Sequence, residues 1–350
     1  MAENVPLDRL EECVRRLTGR REPAEIAEMP GGGSSRRFFR VTLAPSRSAV
    51  AMYVPDATRS DEIVKTDEAG RRWSFLEVRD LLHERGIRVP SVLAEACEDG
   101  FVLLEDLGDD TLAQYLTRHP EVRVSLYRTA VKDLAHAQRA LGSLPAKSII
   151  AARALDEDLL AWEIDHFREW GLDARGIHLD ERDRRTFDEV SAYIARLVAS
   201  WPRGFVHRDY QSRNLMVREI DGEPKLVWID FQDALLGPRV YDLVALLNDS
   251  YQVFERPFIE ERLDEYADAL GLGAERQAIG REFDVVTIQR KLKDAGRFVY
   301  FDRVKHNPHF LRFVEPTIRK ARLALERLGD DAKLAQLAEL LDRVLGAGKP

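Results

Sequence analysis

Cysteine is scarce in this chain. Only Cys13 and Cys97 occur in 350 residues, and they form no C-x-x-C pair. Neither a disulfide framework nor a cysteine-based zinc site is expected. Long apolar runs are also missing; none approaches the roughly 20 residues that cross a bilayer. The first residues carry Asp8, Glu11 and Glu12 without an apolar centre, unlike a secretory leader. Basic charge does not prevail. The net charge of −8 argues against a general nucleic-acid binder, which needs a basic face. No internal repeat or low-complexity tract is found. These absences lead to an expectation of a soluble, cytoplasmic chain with no membrane or nucleic-acid partner and no evident protein partner. Its length allows two lobes with cores of their own.

What is present centres on the stretch from Phe205 to Asp233. Leu215-Met216-Val217 and Leu226-Val227-Trp228-Ile229 flank a polar turn containing Asp221-Gly222, the pattern of a β-hairpin. Asp209 and Asn214 fall on the loop before it, and Asp230 falls where its second strand ends. Phosphoryl transfer asks for these residue types. A carboxylate orients the attacking hydroxyl and accepts its proton, while oxygen ligands hold Mg²⁺ against the nucleotide phosphates. His207-Arg208-Asp209, an Asn five residues after the Asp, and a strand ending in Asp230-Phe231 have the order and spacing of a kinase catalytic loop and metal-binding motif. Asp209 is the candidate base, with Asn214 and Asp230 as candidate Mg²⁺ ligands. The alternative is a structural hairpin with incidental acids.

The remaining chain separates into two kinds of sequence. Leu7, Leu10, Val14 and Leu17 predict an amphipathic helix. Gly31-Gly32-Gly33-Ser34-Ser35 then leads into a strand-like alternation of Phe39, Val41 and Leu43 with Arg40 and Thr42. A glycine-rich turn opening a strand can lay backbone N–H groups against phosphates, so Gly32, Gly33, Ser34 and Ser35 are nucleotide-binding candidates; a plain turn is the alternative. Arg37, on the face of Phe39 and Val41, is the preferred phosphate cation among Arg36, Arg37 and Arg40. Further strands are expected at Ala49 to Val54, Val89 to Ala94 and Phe101 to Glu105, with a helix from 72 to 85 ended by Gly86. From Leu107 the chain turns helical and charged. Helices are expected near 125 to 141, 156 to 171, 241 to 247, 285 to 299 and 314 to 345, with a turn at Leu236-Gly237-Pro238-Arg239. Val102 to Leu107 thus reads as a hinge whose backbone, around Glu105 and Leu107, could meet an adenine edge. His136 reads as a satisfied core or boundary histidine. Trp162, Phe167 and Trp170, interleaved with Glu163, Asp165, His166 and Arg168, suit either a sugar-gripping surface or an ordinary helix with two buried tryptophans. Asp242, near a helix start, can satisfy backbone N–H groups. The charged side of the helix bearing Arg290, Lys291, Lys293 and Arg297 is either solvated or turned to an anionic substrate.

Taken together, Ser35 to Arg40, Gly100 to Leu107, Phe205 to Met216, Asp230 to Ala234, Gly237-Pro238 with Tyr241-Asp242, and Gln289 to Lys293 resemble the aminoglycoside-phosphotransferase family of kinase-like enzymes. The resemblance is strongest to the bacterial cell-wall-recycling anomeric kinases, which use ATP to phosphorylate N-acetylmuramate and N-acetylglucosamine at the C1 hydroxyl. It implies an α+β, two-lobed, protein-kinase-like fold. Residues 1–106 would form a nucleotide-binding N-lobe with a small antiparallel sheet and a helix. Residues 107–350 would form a mostly helical C-lobe with the catalytic loop and substrate site. ATP and Mg²⁺ are the implied cofactors and a small amino sugar the implied partner, in peptidoglycan recycling. His207, Arg208 and Asp242 would brace the loop, and Gln211, Arg213 and Asp233 would reach the sugar. One departure stands out: the phosphate-binding lysine of the third strand is Tyr53 here. Its glutamate partner is Phe75, or, one turn away, Glu77 or Glu68; the anomeric kinases share the missing lysine. An aminoglycoside or other alcohol acceptor, or a non-catalytic pseudokinase, are the alternatives.

Overall fold

The computed structural model describes residues 5–19, 22–30, 36–55, 63–65 and 71–346. The expected phosphate turn with Gly32, Gly33, Ser34 and Ser35 lies outside the described residues, as does Glu68. The chain divides into two compact units. One comprises residues 1–121, 147–149 and 213–233, the other residues 122–146, 150–212 and 234–350.

The first unit begins with helix α1 (Leu7–Thr18), followed by strands β1 (Ile26–Glu28), β2 (Arg37–Ala44), β3 (Arg47–Tyr53), β4 (Ile63–Lys65) and β5 (Arg71–Trp73). Helix α2 (Ser74–Glu84), strands β6 (Val92–Ala96) and β7 (Phe101–Glu105) and helix α3 (Leu112–Arg118) continue it. Five of the strands form one antiparallel sheet in the order β1-β2-β3-β7-β6. Side chains alternate across the pleat, so Phe39, Val41, Ala49, Ala51, Tyr53, Phe101 and Leu103 share a face. Leu10, Cys13 and Val14 of α1 pack onto that face and complete its core. Each large side chain buried there is worth roughly 1.5–3 kcal/mol. α1 stops at Gly19, whose φ of 69° lets its N–H bond the Arg15 carbonyl at 2.8 Å.

Strands β9 (Leu215–Ile220) and β10 (Glu223–Trp228) form the expected hairpin. Asp221 and Gly222 at its turn have φ of 54° and 76°, the left-handed pair that a tight hairpin turn demands. The hairpin follows the helical sequence in chain order but belongs to the first unit. Val217 N–H donates to Asp110 O at 2.7 Å, Trp228 N–H to Arg88 O at 2.9 Å, and Arg88 Nε to Leu226 O at 2.9 Å.

The second unit contains helices α4 (Arg123–Ala140) and α5 (Glu157–His166), the latter continued by a π-helical turn, Phe167–Leu172. It also holds α6 (Glu181–Ala199), β8 (Arg203–Val206), β11 (Leu235–Pro238), α7 (Tyr241–Leu247), α8 (Arg256–Leu270), α9 (Arg276–Arg303), α10 (Val314–Arg327) and α11 (Ala332–Leu345). Leu236 to Pro238, expected as a turn, is strand: it pairs antiparallel with β8, Gly237 facing Gly204. His136 is exposed on α4 and is not a core group. Among the described residues no helix is long and apolar enough to cross a membrane.

The long helix α9 runs against the end of α5, and Gly296 sets how close they come. A Cβ there would stand 2.7 Å from the His166 carbonyl oxygen and 2.9 Å from Phe167 Cα. Both are backbone atoms that cannot swing aside. Gly296→Ala is expected to cost about 1–3 kcal/mol, read as a lower urea midpoint with unchanged slope. An unchanged midpoint would contradict this close crossing.

Candidate active site

In the second unit, β8 delivers the chain to the loop His207–Ser212, and Asp242 fixes that loop. This carboxylate is fully buried on α7. It accepts the His207 N–H at 2.6 Å and the Arg208 N–H at 3.0 Å. The backbone N–H groups that Asp242 satisfies are thus those of the loop. Burial drives its pKa up to about 7, although the His207 N–H, Arg290 and the Arg208 N–H all favour the charged form. Arg208 has φ of 79°, a conformation costing an L-residue roughly 1–2 kcal/mol. Its carbonyl is held by Arg290 Nη1 at 2.8 Å. Arg290, on α9, stacks over the buried Tyr241 ring at 4.7 Å and reaches Asp209 with Nη2 at 3.4 Å. The His207 ring accepts the Asp209 N–H through Nδ1 at 3.3 Å.

Asp209 therefore stands in a field of cations. Its side chain is 39% accessible. Burial pushes its carboxyl up, but Arg290, Lys293, Arg208 and His207 together outweigh that and leave its pKa below the usual aspartate value. Such a carboxylate stays ionised and accepts hydrogen bonds well while holding a proton poorly.

Sequence reading missed the acids behind this loop. Glu163, only 1% exposed, takes a hydrogen bond from Gln289 Nε2 at 2.8 Å and faces Arg208 at 3.6 Å and Lys293 at 3.9 Å. Lys291 bonds Asp294 at 2.8 Å and Ser250 at 3.0 Å. Ser212 gives its hydroxyl to Asp249 at 2.6 Å and its N–H at 3.3 Å. The available signal was the run of charges on a helix that is otherwise apolar, since charges on a buried helix must be paired.

In the first unit, Asn214 and Asp230 come together across the base of the hairpin. Asn214 Nδ2 lies 3.4 Å from Asp230 Oδ2, and Ile229 N–H bonds Asn214 O at 3.0 Å. Gln232 Nε2 holds the other Asp230 oxygen at 2.9 Å and touches Asp233 at 3.2 Å. One exposed carboxylate and one carboxamide oxygen are hard donors. They fit Mg²⁺, which commonly takes one or two carboxylates and completes its shell with water and phosphate oxygens. Beside this pair Leu107, Met216, Val227 and Ile229 form a small apolar cluster. Among the described residues the Leu107 backbone has no hydrogen-bond partner, whereas Glu105 N–H is taken by Ser91 O at 2.9 Å.

Several expectations need correction here. Arg37, expected at a nucleotide's phosphates, shares the face covered by α1, where Nε and Nη2 meet Glu28 at 2.8 Å each. Tyr53 lies opposite it in register, buried in the same core against Phe101 at 5.0 Å. Met52, on the other face, brings no charge there either. Arg40 does lie on the other face. It binds Asp106 at 2.8 and 3.1 Å and Asp109 at 2.9 Å, and Asp106 also accepts Ser48 Oγ at 2.6 Å. Phe75 stacks on Phe231 at 5.0 Å, and Glu77 accepts the Ile149 N–H at 2.6 Å. The sugar candidates are divided between the units: Gln211 lies in the second, Arg213 and Asp233 in the first. Of the two readings of the Trp162 stretch, the one with two buried tryptophans fails, since Trp162 is 58% exposed.

A family model described as the phosphotransferase enzyme family matches residues 25–279. The N-acetylmuramate/N-acetylglucosamine kinase of Pseudomonas aeruginosa is 32% identical, the match covering 91% of this chain and 88% of that protein. The protein of the same name from Neisseria meningitidis serogroup B is 31% identical, covering 89% of this chain and 88% of that one. Among solved structures, the GDP complex of aminoglycoside 2'-phosphotransferase-IIIa matches with a TM-score of 0.61 at 13% identity, covering 91% of this chain and 99% of that one. That likeness is one of fold, and the fold is α+β and kinase-like.

Asp242 offers a direct test of how the loop is held. Asp242→Asn presents one acceptor and one donor to two N–H groups. A small misplacement of a reacting group can cost on the order of a hundredfold in rate. The expected outcome is a loss of that order in kcat with the nucleotide KM nearly unchanged. A near-normal kcat would show that the loop keeps its geometry without the carboxylate.

Proposed function

Given that the chain belongs to the phosphotransferase enzyme family, we propose that it is an ATP-dependent kinase phosphorylating the C1 hydroxyl of N-acetylmuramate and N-acetylglucosamine. The relatives' shared name supports the acceptor. The setting of Asp209 is the observation that carries the position of transfer. A carboxylate held acidic by Arg290, Lys293 and Arg208 is a weak base. It suits a hydroxyl that parts easily with its proton, and the hemiacetal hydroxyl of a reducing sugar is more acidic than an ordinary alcohol. Asp209 would orient that hydroxyl, accept its hydrogen bond and take the proton as the phosphoryl group arrives.

Leu107, Met216, Val227 and Ile229 would cover a flat base, with the unengaged Leu107 backbone at its edge. Asn214 and Asp230 would hold Mg²⁺, which when bound neutralises the charge of the transferring phosphates. Gln232, bonded to both Asp230 and Asp233, keeps those oxygens in place. Arg213 and Asp233 remain candidates for sugar hydroxyls. A cytoplasmic place in cell-wall recycling belongs to the same reading.

An aminoglycoside acceptor is disfavoured by the same cations, since a polycation would meet Arg208, Arg290 and Lys293 beside the base. A nucleotide-binding module without activity has one observation in its favour, the apolar Tyr53 and Met52 where a lysine is expected. Intact Asp209, Asn214 and Asp230 weigh against it.

Three measurements test this reading. With ATP and Mg²⁺, either sugar should give a sugar 1-phosphate by ³¹P NMR, while the 1-O-methyl glycoside stays inert; phosphorylation of the glycoside at an equal rate would move the chemistry to another hydroxyl. Asp230→Ala should lose on the order of a thousandfold in turnover, and Asp209→Asn should keep nucleotide binding while losing turnover. Near-normal kcat in either would overturn the kinase assignment. Because the Asp209 pKa is depressed, protonation of the base should enter kcat/KM only below the ordinary aspartate range near 4, separately from any limb that Asp242, with its pKa of about 7, contributes above it. Arg290→Gln should move the Asp209 limb upward. A limb centred near pH 6 that persists in Asp242→Asn would assign the base to another group.

A further inference from the structure

Helix α9 carries cations at three matched positions. Arg290, Lys293 and Arg297 are spaced by three and four residues, which places them along one side of the helix. Arg297 lies roughly 10 Å beyond Arg290 along the axis. Two of the three are engaged. Arg290 is 4% exposed and spent on Asp209 and the Arg208 carbonyl. Lys293 is 16% exposed and faces Glu163 and Asp294. Arg297 is exposed, and among the described residues it has neither a carboxylate partner nor a hydrogen-bond acceptor. Its guanidinium instead lies over Tyr300 at 5.3 Å and Phe301 at 5.1 Å.

Aromatic rings adjoin it. Trp162, on α5 beside Glu163, stacks against His166 at 5.7 Å and 30°. His166 in turn faces Trp170 at 6.2 Å and Tyr300 at 5.7 Å, and Trp170 meets Tyr300 edge-on at 5.1 Å. The close crossing at Gly296 holds the two helices together at this point. Burial and Arg297 both lower the His166 pKa, and among the described residues its buried Nε2 has no hydrogen-bond partner. Arg297 is thus the cation this aromatic wall leaves open to solvent. The wall is continuous with the base through Glu163, Lys293 and Arg208, all within the second unit.

N-acetylmuramate differs from N-acetylglucosamine by a lactyl ether that ends in a carboxylate. A guanidinium fork matches a carboxylate in shape and charge, and an exposed indole can cover the apolar face of a pyranose. A sugar ring with its side group can bridge a base near Arg290 and a fork seven residues further along α9. Resting on the sugar-kinase reading above, we propose that Arg297 binds the lactyl carboxylate of N-acetylmuramate while Trp162 lies against the ring of either sugar. The two substrates then share a ring site and differ in one ion pair.

Binding of both sugars to the full-length protein, by titration calorimetry with a non-hydrolysable ATP analogue and Mg²⁺ present, tests this independently of turnover. Arg297→Gln removes an exposed charge and should fold normally, checked by its melting temperature. It should weaken N-acetylmuramate on the order of tenfold to a hundredfold, the worth of a hydrogen bond to a charged group, and leave N-acetylglucosamine unchanged. Arg297→Lys should recover part of the loss, and Trp162→Ala should weaken both sugars. Equal weakening of both sugars by Arg297→Gln, or no effect on N-acetylmuramate, would overturn the assignment of Arg297. Wild-type binding of both sugars, with no sugar phosphate formed when ATP replaces the analogue, would instead sink the kinase reading and leave the ion-pair assignment standing on the binding difference. Failure of the wild type to bind either sugar would overturn both.

Discussion

The loop that carries Asp209 depends on one buried carboxylate. Asp242 takes the N–H groups of His207 and Arg208 together, at 2.6 and 3.0 Å. Two successive N–H groups aimed at one side chain force the chain into a sharp bend, and Arg208 accepts a left-handed φ of 79° as the cost. Arg290 closes the bend from the other side by holding the Arg208 carbonyl at 2.8 Å. Asp209 is the residue that follows, so its position is inherited from these bonds and does not rest on its own contacts. Charge-assisted hydrogen bonds inside a protein are stronger than neutral ones, which suits a strained turn whose side chain must not drift.

The same charges that position Asp209 also set its chemistry. A buried cation is tolerable only when its field is answered. Arg290 is answered by Asp209 and by the Tyr241 ring, and Lys293 by Glu163 and Asp294. Burial alone would raise the Asp209 pKa; the cations reverse the sign. The Asp209 carboxylate is thereby kept ionised and holds a proton weakly. Asp294 shows the same balance further along the helix. Burial pushes its carboxyl up, while Lys291, Lys293 and Arg290 bring it far below the usual range.

In the first unit the corresponding constraint is the hairpin. Its tight Asp221-Gly222 turn sets the register of β9 and β10, and that register sets Asn214 against Ile229, so that Asp230, the next residue, comes within 3.4 Å of the Asn214 carboxamide. Bonds to Asp110 and Arg88 then fasten the hairpin onto the sheet unit. The metal-binding candidates and the apolar cluster of Leu107, Met216, Val227 and Ile229 consequently sit within one compact unit. The missing lysine has a companion in this unit. Tyr53 is used as core, and Arg37 beside it is used for Glu28.

Much of this was legible in the sequence because it is local. The hairpin follows from a two-residue turn and its flanking apolar runs. The long helix α9 follows from the spacing of Val285, Ile288, Leu292, Ala295 and Val299. The choice of Asp209, Asn214 and Asp230 as candidates follows from the order and spacing of one motif, with the Asn five residues after the first Asp and a single hairpin between the last two. Other features depend on which elements meet, and no local pattern encodes that. Whether Tyr53 faced a ligand or a core was decided by α1 lying across that side of the sheet. Whether Trp162 was buried or 58% exposed was decided by where α9 crosses α5, at a glycine 134 positions further along the chain. Asp242 reads as a helix-start residue until β8 brings the loop to it from 35 residues away. Pairing of buried charges is decided last of all. A carboxylate takes whichever donors the packed helices bring within reach, and only the tertiary structure brings Glu163 to Gln289 and Arg290 to Asp209.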